Sequence, residues 1–173
     1  MKNLLILILL TQITQASKLQ PLDYVDIKKF SGLWYEIART YNSYQEKCVG
    51  SSVEYVLTPE NEYDVYNRCF DSAIGGNLIQ YNGSAEGAKE KENVSQLDMT
   101  YFWIFTQRYN IYYLEDDYSA ALVADKELDK LWIMSRKPQI NDTKLQNILS
   151  LLDGNMDLKR LIYTPQDKEG KYK

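Results

Sequence analysis

Short segments rich in β-branched and aromatic residues follow one another along most of the chain, separated by turn signals at intervals of roughly 8–14 residues. In the segment 50–57, for example, the apolar residues Val53 and Tyr55 alternate with the polar residues Ser52 and Glu54. A period of two is typical of a strand that buries one face and leaves the other in water. The pattern predicts an all-β domain, either a barrel or a sandwich.

Eight strands are predicted, at 33–41, 50–57, 62–70, 79–87, 94–104, 109–115, 118–124 and 130–136. The period then changes to that of a helix over Asp142–Asp153, where Asn141 or Asp142 can cap the start and Gly154 the end. The apolar residues of this helix recur at i, i+3, i+4 and i+7 and are Leu145, Ile148, Leu149 and Leu152. A last strand is predicted at 161–164. Eight antiparallel strands and one helix favour a closed barrel with the helix packed outside.

The N-terminus has the pattern of a secretory signal. Lys2 precedes the apolar run Leu4–Leu10, and Thr14-Gln15-Ala16 fits a small-x-small cleavage site, so cleavage is predicted after Ala16. A retained N-terminal helix is the alternative, but this run is too short for a bilayer span, which needs about 20 residues. No Cys lies near the cleavage point, so we expect a soluble protein of the periplasm or the extracellular space rather than a lipoprotein.

The length of 173 residues predicts one domain, which we place at 17–166 after the signal segment 1–16. An irregular lead-in is expected over Lys18–Lys29, and the polar tail 167–173 is expected to be disordered.

The amino-acid composition excludes several classes of function. The chain has no His, which excludes His-dependent nucleophile systems, a His-ligated haem and His-ligated zinc. Its formal charge is −4, with no basic stripe, so no nucleic-acid partner is expected. Carboxylate, Lys or Tyr chemistry stays open, but we predict a protein that is not an enzyme and needs no cofactor and no metal.

The two cysteines, Cys48 and Cys69, flank the turn at 58–61 and fall nearly opposite each other on the arms of a hairpin. In an exported chain this favours a disulfide, worth about 3 kcal/mol in the chain-entropy model. Two unpaired buried thiols are the alternative. A metal site is disfavoured because no further soft ligand is present.

Three segments resemble the lipocalin family, in the form of its bacterial lipocalin and apolipoprotein D-like branch. Phe30–Arg39 (FSGLWYEIAR) is similar to the family's G-x-W signature. Leu114–Tyr118, followed by Ala121–Val123, resembles its T-D-Y turn, with Asp116 where Thr is common. Leu131–Pro138 is similar to the strand that ends in Arg. The resemblance covers roughly 22–166 and implies an eight-stranded calyx that is open at one end and closed at the other by the N-terminal segment.

The family's Trp and Arg map to Trp34 and Arg136, which the resemblance assigns to structure rather than to ligand contact. A guanidinium stacked on an indole gains roughly 0.5–2 kcal/mol, so a contact between the two is expected on physical grounds as well. With both side chains directed inward, the period of two also places Glu36 and Ala38 inside the barrel. We interpret Glu36 as a member of a structural hydrogen bond or salt bridge, because no second carboxylate can be placed beside it for catalysis.

The same parity, extended by resemblance to the calyx, predicts the inward-facing residues, which include Ala121 and Val123. The predicted ligand-binding residues are Val53, Tyr55, Val65, Asn67, Leu97, Met99, Tyr101, Ile111, Tyr113, Trp132 and Met134. This lining is apolar with a few hydroxyl and amide groups, which suits an amphiphile.

The leading hypothesis is an exported carrier or store of a lipid or similar hydrophobic molecule. The resemblance implies fatty acids or lysophospholipids as ligands and a peripheral contact with a membrane. The alternative is a secreted interaction protein whose barrel is filled by side chains and whose loops bind a protein partner, since Tyr is enriched at interfaces. A third hypothesis is an isomerase or synthase that works inside the calyx. The sequence leaves the oligomeric state open.

Overall fold

The computed structural model describes residues 19–102 and 104–173, so the predicted signal segment 1–16 and its cleavage site lie outside the described residues. Two α-helices are present within this part of the chain, α1 (Ile27–Phe30) and α2 (Asp142–Leu152), together with short 3₁₀ helices at Ser43–Gln45 and Leu158–Arg160. The strands are β1 (Gly32–Arg39), β2 (Cys48–Leu57), β3 (Tyr63–Asp71), β4 (Leu78–Gly87), β5 (Gln96–Tyr101), β6 (Phe105–Leu114), β7 (Ala120–Ala124), β8 (Leu131–Ser135) and β9 (Ile162–Tyr163).

Each strand from β1 to β8 pairs antiparallel with the next one along the chain, and β8 returns to β1. This pairing closes an eight-stranded up-and-down barrel, to which β9 adds a short pairing with the end of β1. Helix α2 packs outside the barrel, where its buried residues Ile148 and Leu152 meet the outer faces of β1, β7 and β8. The predicted fold class is confirmed.

The helix α2 begins and ends where the sequence predicts. Asn141 is the N-cap, and its side chain accepts hydrogen bonds from the backbone N–H groups of Thr143 and Lys144. After Leu152 the chain reaches Gly154 at φ +80°, a left-handed conformation that glycine adopts without steric cost.

One predicted turn lies elsewhere. The strands predicted at 94–104 and 109–115 leave the link between them at 105–108, whereas the chain reverses between Tyr101 and Phe105, so that β5 is shorter and β6 longer than predicted. Phe102 has φ +52°, and the N–H of Ile104 donates to the carbonyl of Tyr101. The aromatic residues of this hairpin tip have high strand propensity, so the sequence pattern predicts no turn there.

The lead-in contains a helical turn where an irregular segment was expected. Asp26 caps α1 by accepting from the N–H of Lys29, and Ile27 and Phe30 are buried in the end of the barrel. The indole N–H of Trp34 donates to the carbonyl of Phe30 at 2.9 Å, and the Tyr63 hydroxyl donates to the carbonyl of Ile27. These bonds fix α1 as a plug that closes one end of the barrel.

Cys48 and Cys69 form a disulfide between the start of β2 and the end of β3, with their Cα atoms 5.3 Å apart. The predicted pairing is confirmed. Because β2 and β3 are already hydrogen-bonded neighbours, the bridge reinforces an existing hairpin rather than joining distant parts of the fold.

The C-terminal segment 165–173 contacts the barrel wall. The side chain of Gln166, the last residue of the predicted domain, donates to the carbonyls of Glu36 and Ser51. Within 167–173, the carbonyl of Gly170 accepts a hydrogen bond from the hydroxyl of Tyr35. The pairing of β1 with β2 ends at Tyr35, which leaves the next carbonyls of both strands without a ladder partner. Gln166 supplies donors for them, and a polar residue can do so without any apolar pattern.

Candidate functional site

A cavity of about 310 Å³ occupies one half of the barrel interior. Its lining includes Tyr44 and Gln45 from the loop between β1 and β2, Phe102 from the tip between β5 and β6, and Lys130 from the loop between β7 and β8. These loops lie at the end of the barrel opposite α1. The cavity therefore opens at the loop end, and its volume falls at the small end of the range found for small-molecule sites.

Most of the predicted ligand-binding residues line this cavity. Those that do are Val53, Tyr55, Asn67, Met99, Tyr101, Trp132 and Met134. Val65, Leu97 and Ile111 point inward but are fully buried, because they pack with Phe30 and Trp34 in the apolar core between the cavity and the closed end. The barrel interior is therefore filled by side chains near α1 and hollow near the loop end.

Two inward assignments were wrong. Ala38 and Tyr113 belong to the outer apolar cluster beneath α2, not to the interior. The register of β1 against β8 shifts between Glu36 and Ala38, and that of β6 against β7 shifts between Ile111 and Tyr113. Each β-bulge inserts one residue, which reverses the parity of every residue after it.

Several lining residues were missed. Tyr109 lies two residues before Ile111, inside the predicted strand 109–115, and the same parity pointed to it although it was not assigned. Gln107 and Phe105 continue that period, but the misplaced turn began the predicted strand only at 109. On β4 the inward positions Ile79 and Tyr81 line the cavity as well. Tyr44 and Gln45 come from a loop, where no periodic signal exists.

At the closed end, the Arg136 guanidinium lies over the Trp34 indole, 3.8 Å from the ring centroid. Its N–H groups donate to the carbonyls of Leu33 at 2.9 Å, Phe30 at 3.1 Å, Lys29 at 2.9 Å and Tyr118 at 3.3 Å. Burial lowers the pKa of Arg136 to about 10, so the group stays charged at neutral pH. The Arg136 side chain therefore links α1, β1 and the loop before β7 by hydrogen bonds.

Glu36 lines the cavity wall as a buried carboxylate, with 5% of its surface exposed. It accepts hydrogen bonds from the hydroxyl of Thr164 and, at 2.6 Å, from the side-chain amide of Gln45, while the Nε of Arg39 lies 3.7 Å away. Burial raises the pKa of this carboxyl, and the three partners offset part of that rise. Its contacts are those of a structural group that anchors the mouth loop.

Three phenols are among the polar groups that line the cavity. Tyr55, Tyr101 and Tyr109 come from β2, β5 and β6, and the Asn67 amide donates to the Tyr101 hydroxyl at 2.7 Å. Burial raises the pKa of Tyr101 to about 12, and it also raises the pKa of the Tyr55 and Tyr109 hydroxyls. All three phenols are therefore neutral at physiological pH.

Large apolar side chains stand exposed around the mouth. At the hairpin tip between β5 and β6, Phe102 is 58% exposed, Ile104 76% and Phe105 66%, and Tyr44 on the neighbouring loop is 68% exposed. Exposed aromatic groups concentrated at one rim are unusual on a surface in contact with water only.

Comparisons with known proteins agree with this architecture. A sequence model described as a lipocalin-like domain matches residues 25–166. A putative lipocalin of Acanthamoeba polyphaga mimivirus is 31% identical over 145 residues, covering 80% of this chain and 83% of that protein. The outer membrane lipoprotein Blc of Escherichia coli (strain K12) is 30% identical over 144 residues, covering 82% and 79%. Apolipoprotein D of Mus musculus is 25% identical over 152 residues, covering 82% and 77%.

Two solved structures share the fold. Insecticyanin of the tobacco hornworm Manduca sexta superposes with a TM-score of 0.71 at 18% identity, covering 90% of this chain and 89% of that one. Apocrustacyanin A1 of lobster gives a TM-score of 0.62 at 24% identity, covering 81% and 79%. At these identities the likeness concerns the barrel alone.

Proposed function

The chain belongs to the lipocalin family, and we propose that it binds a hydrophobic molecule of the fatty acid or lysophospholipid class inside the barrel and carries or stores it. Membership of this family supports the binding of a small hydrophobic ligand in general. The observation that carries the proposal is the cavity of about 310 Å³, which is open at one end and lined largely by apolar and aromatic side chains. A secreted interaction protein with a filled barrel would have no use for such a cavity.

The size of the hydrophobic effect agrees with a carrier that releases its ligand. Burying a chain of ten methylenes gains about 8 kcal/mol. The loss of translational freedom and the ordering of the ligand's hydrocarbon chain cost several kcal/mol of this gain, so a dissociation constant in the micromolar range is expected. Lys130, exposed at the mouth, is positioned to attract an anionic head group that remains in water.

The exposed hairpin tip favours a peripheral contact with a membrane. Phe102, Ile104 and Phe105 stand beside the mouth, so their insertion between lipid head groups would bring the cavity entrance to the surface where amphiphiles dissolve. Within the part of the chain that the structure describes, no helix is long and apolar enough to cross a bilayer. The proposed contact is made through the exposed side chains of the hairpin tip.

We further propose an exported protein without catalytic activity. The disulfide between Cys48 and Cys69 favours an oxidising compartment, in keeping with the signal pattern that ends at Ala16. Both carboxylate oxygens of Glu36 are bonded by the protein's own Thr164 and Gln45, which argues for a structural role. Among the described residues no cluster of Cys, Asp and Glu could hold a metal ion.

A titration of intrinsic fluorescence tests the carrier proposal. Dodecanoic acid and a lysophosphatidylcholine, added separately to the full-length chain, should quench its fluorescence with micromolar midpoints. Met99→Asp places a charge in the cavity wall and should abolish the quenching. Thr100→Asp places the same charge one residue along β5 on the outward face and serves as the control. No quenching by either ligand, or equal quenching by the Met99 variant, would count against the proposal.

A further inference from the structure

The inner wall of the cavity carries hydrogen-bonding groups that the fold itself does not use. Within 19–102 and 104–173, the hydroxyls of Tyr55 and Tyr109 make no hydrogen bond to another residue, although both side chains are buried and line the cavity. The Tyr101 hydroxyl accepts from Asn67 and keeps its own proton free to donate. A cavity meant only for a hydrocarbon chain would be better lined by Phe at these positions, since unpaired buried hydroxyls cost free energy.

The backbone is shaped to bring these groups together. The strand register places Tyr55, Val65, Gly83 and Tyr101 in one row across β2, β3, β4 and β5. A Cβ at Gly83 would lie 2.8 Å from the Cδ1 of Tyr101 and 2.9 Å from its Cε1, so the ring lies directly on the glycine backbone. The absence of a side chain at Gly83 lets the Tyr101 ring reach across β4 to Asn67, on the far side of that strand.

The charge around this wall selects among polar ligand groups. The phenols stay neutral, because burial raises the pKa of each. Arg136, at the closed end, already donates to four backbone carbonyls, Arg68 in the lining is paired with Glu54 at 2.8 Å, and Lys130 stands at the mouth. A carboxylate pushed against the phenols would lose its water, and the hydrogen bonds it gained there would come from neutral groups. A hydroxyl or ketone oxygen would accept their hydrogen bonds at a much lower desolvation cost.

We propose that Tyr55, Tyr101 and Tyr109, together with Asn67, form a subsite for a neutral oxygen at the end of the ligand that enters the cavity first. This inference rests on the proposed function and narrows its ligand class. The preferred ligands are elongated apolar molecules that carry a hydroxyl or ketone at the inserted end, while any charged group remains at the mouth.

A matched pair of ligands tests the subsite on the full-length chain. Dodecanoic acid and 12-hydroxydodecanoic acid differ only in the terminal hydroxyl, and isothermal titration calorimetry measures both affinities. In water the hydroxyl makes the second acid more soluble, so hydrophobicity alone predicts that it binds more weakly. The subsite predicts the reverse order, with the hydroxy acid bound about tenfold more tightly.

The variants Tyr101→Phe and Tyr109→Phe each remove one hydroxyl and keep the ring, so the fold has no reason to change. Each should reduce the preference for the hydroxy acid by about threefold or more while leaving the affinity for dodecanoic acid the same or higher. Tyr163→Phe, which removes the hydroxyl of an exposed tyrosine on β9 outside the cavity, is the control and should keep the full preference.

The outcomes separate the two proposals. If dodecanoic acid binds and 12-hydroxydodecanoic acid binds equally or more weakly, the subsite is wrong and the carrier function stands. If the preference is present but survives in both Phe variants, the subsite is wrong as well. If neither acid binds, both the carrier proposal and the subsite proposal are wrong.

Discussion

Replacement of Arg136 by Ala is expected to destabilise the protein far more than the loss of an ordinary surface arginine. The guanidinium stacks on Trp34 and donates to the carbonyls of Lys29, Phe30, Leu33 and Tyr118, so it links α1 to the barrel wall. Its removal leaves these carbonyls without a donor and the lower face of the indole without its partner.

The magnitude follows from these contacts. The cation–π contact is worth about 0.5–2 kcal/mol, and each hydrogen bond contributes about 0.5–1.5 kcal/mol net. Part of the guanidinium group is accessible to solvent, so water replaces some of the lost donors. With about half of the four bonds replaced in this way, the middle of these ranges gives a loss of about 3 kcal/mol in the free energy of unfolding. For a domain of this size the melting temperature should fall by roughly 6–12 °C.

Thermal unfolding followed by near-ultraviolet circular dichroism measures the effect, because Trp34 reports on the same contact. Arg108→Ala is the matched control, since Arg108 is exposed and pairs with Asp98 on the barrel surface. An exposed pair contributes up to about 1 kcal/mol, so the control should melt within roughly 4 °C of the wild type. If Arg136→Ala melts no lower than Arg108→Ala, the structural role given to Arg136 is refuted.

Three further predictions concern pH, membranes and redox state. Because burial raises the pKa of Glu36, the folded state holds its proton more tightly than the unfolded chain, and stability is lost as pH rises from the ordinary value of 4.5 through the folded pKa. Urea unfolding between pH 4 and 8 should therefore show the wild type losing stability relative to Glu36→Gln, and a pH-independent difference would contradict this. Ile104→Ser should weaken the sedimentation of the protein with phosphatidylcholine vesicles severalfold. Val56→Ser, which changes an exposed apolar residue on β2 near the closed end, is the control and should sediment like the wild type. Equal binding by both variants would argue against the hairpin tip as the membrane contact. Reduction of the Cys48–Cys69 disulfide should cost about 3 kcal/mol and lower the melting temperature by roughly 6–12 °C, and an unchanged melting curve after complete reduction would show that the hairpin does not need the bridge.

The strands were predictable because alternation and turn residues are local properties of the sequence. The positions of the bulges in β1 and β6 were not. Around Glu36 and around Ile111 the residues are apolar or aromatic on both faces, since α2 covers the outer face of the barrel there. Shifting the inward and outward positions of a strand by one residue therefore gives an equally plausible apolar pattern. For this reason the sequence is compatible with Ala38 and Tyr113 on the inner or the outer face of the barrel.

The remaining differences arise from interactions without a periodic signature. The C-terminal segment 165–173 is held by polar bonds such as those of Gln166 to the carbonyls of Glu36 and Ser51, which are available because the pairing of β1 with β2 ends at Tyr35. The turn at 102–104 contains no Gly, Pro, Asn or Asp. Similarly, Tyr101 reaches Asn67 across β4 because Gly83 carries no side chain, a relation between strands that no single segment reveals.

Native mass spectrometry of the full-length chain tests the central claim most directly, because it weighs the protein together with whatever the cavity holds. After incubation with excess dodecanoic acid, the account predicts a one-to-one adduct on the wild type and on Thr100→Asp, and none on Met99→Asp. A wild-type protein that shows no adduct with dodecanoic acid or with lysophosphatidylcholine would contradict the claim that the barrel is an open binding site for a hydrophobic molecule.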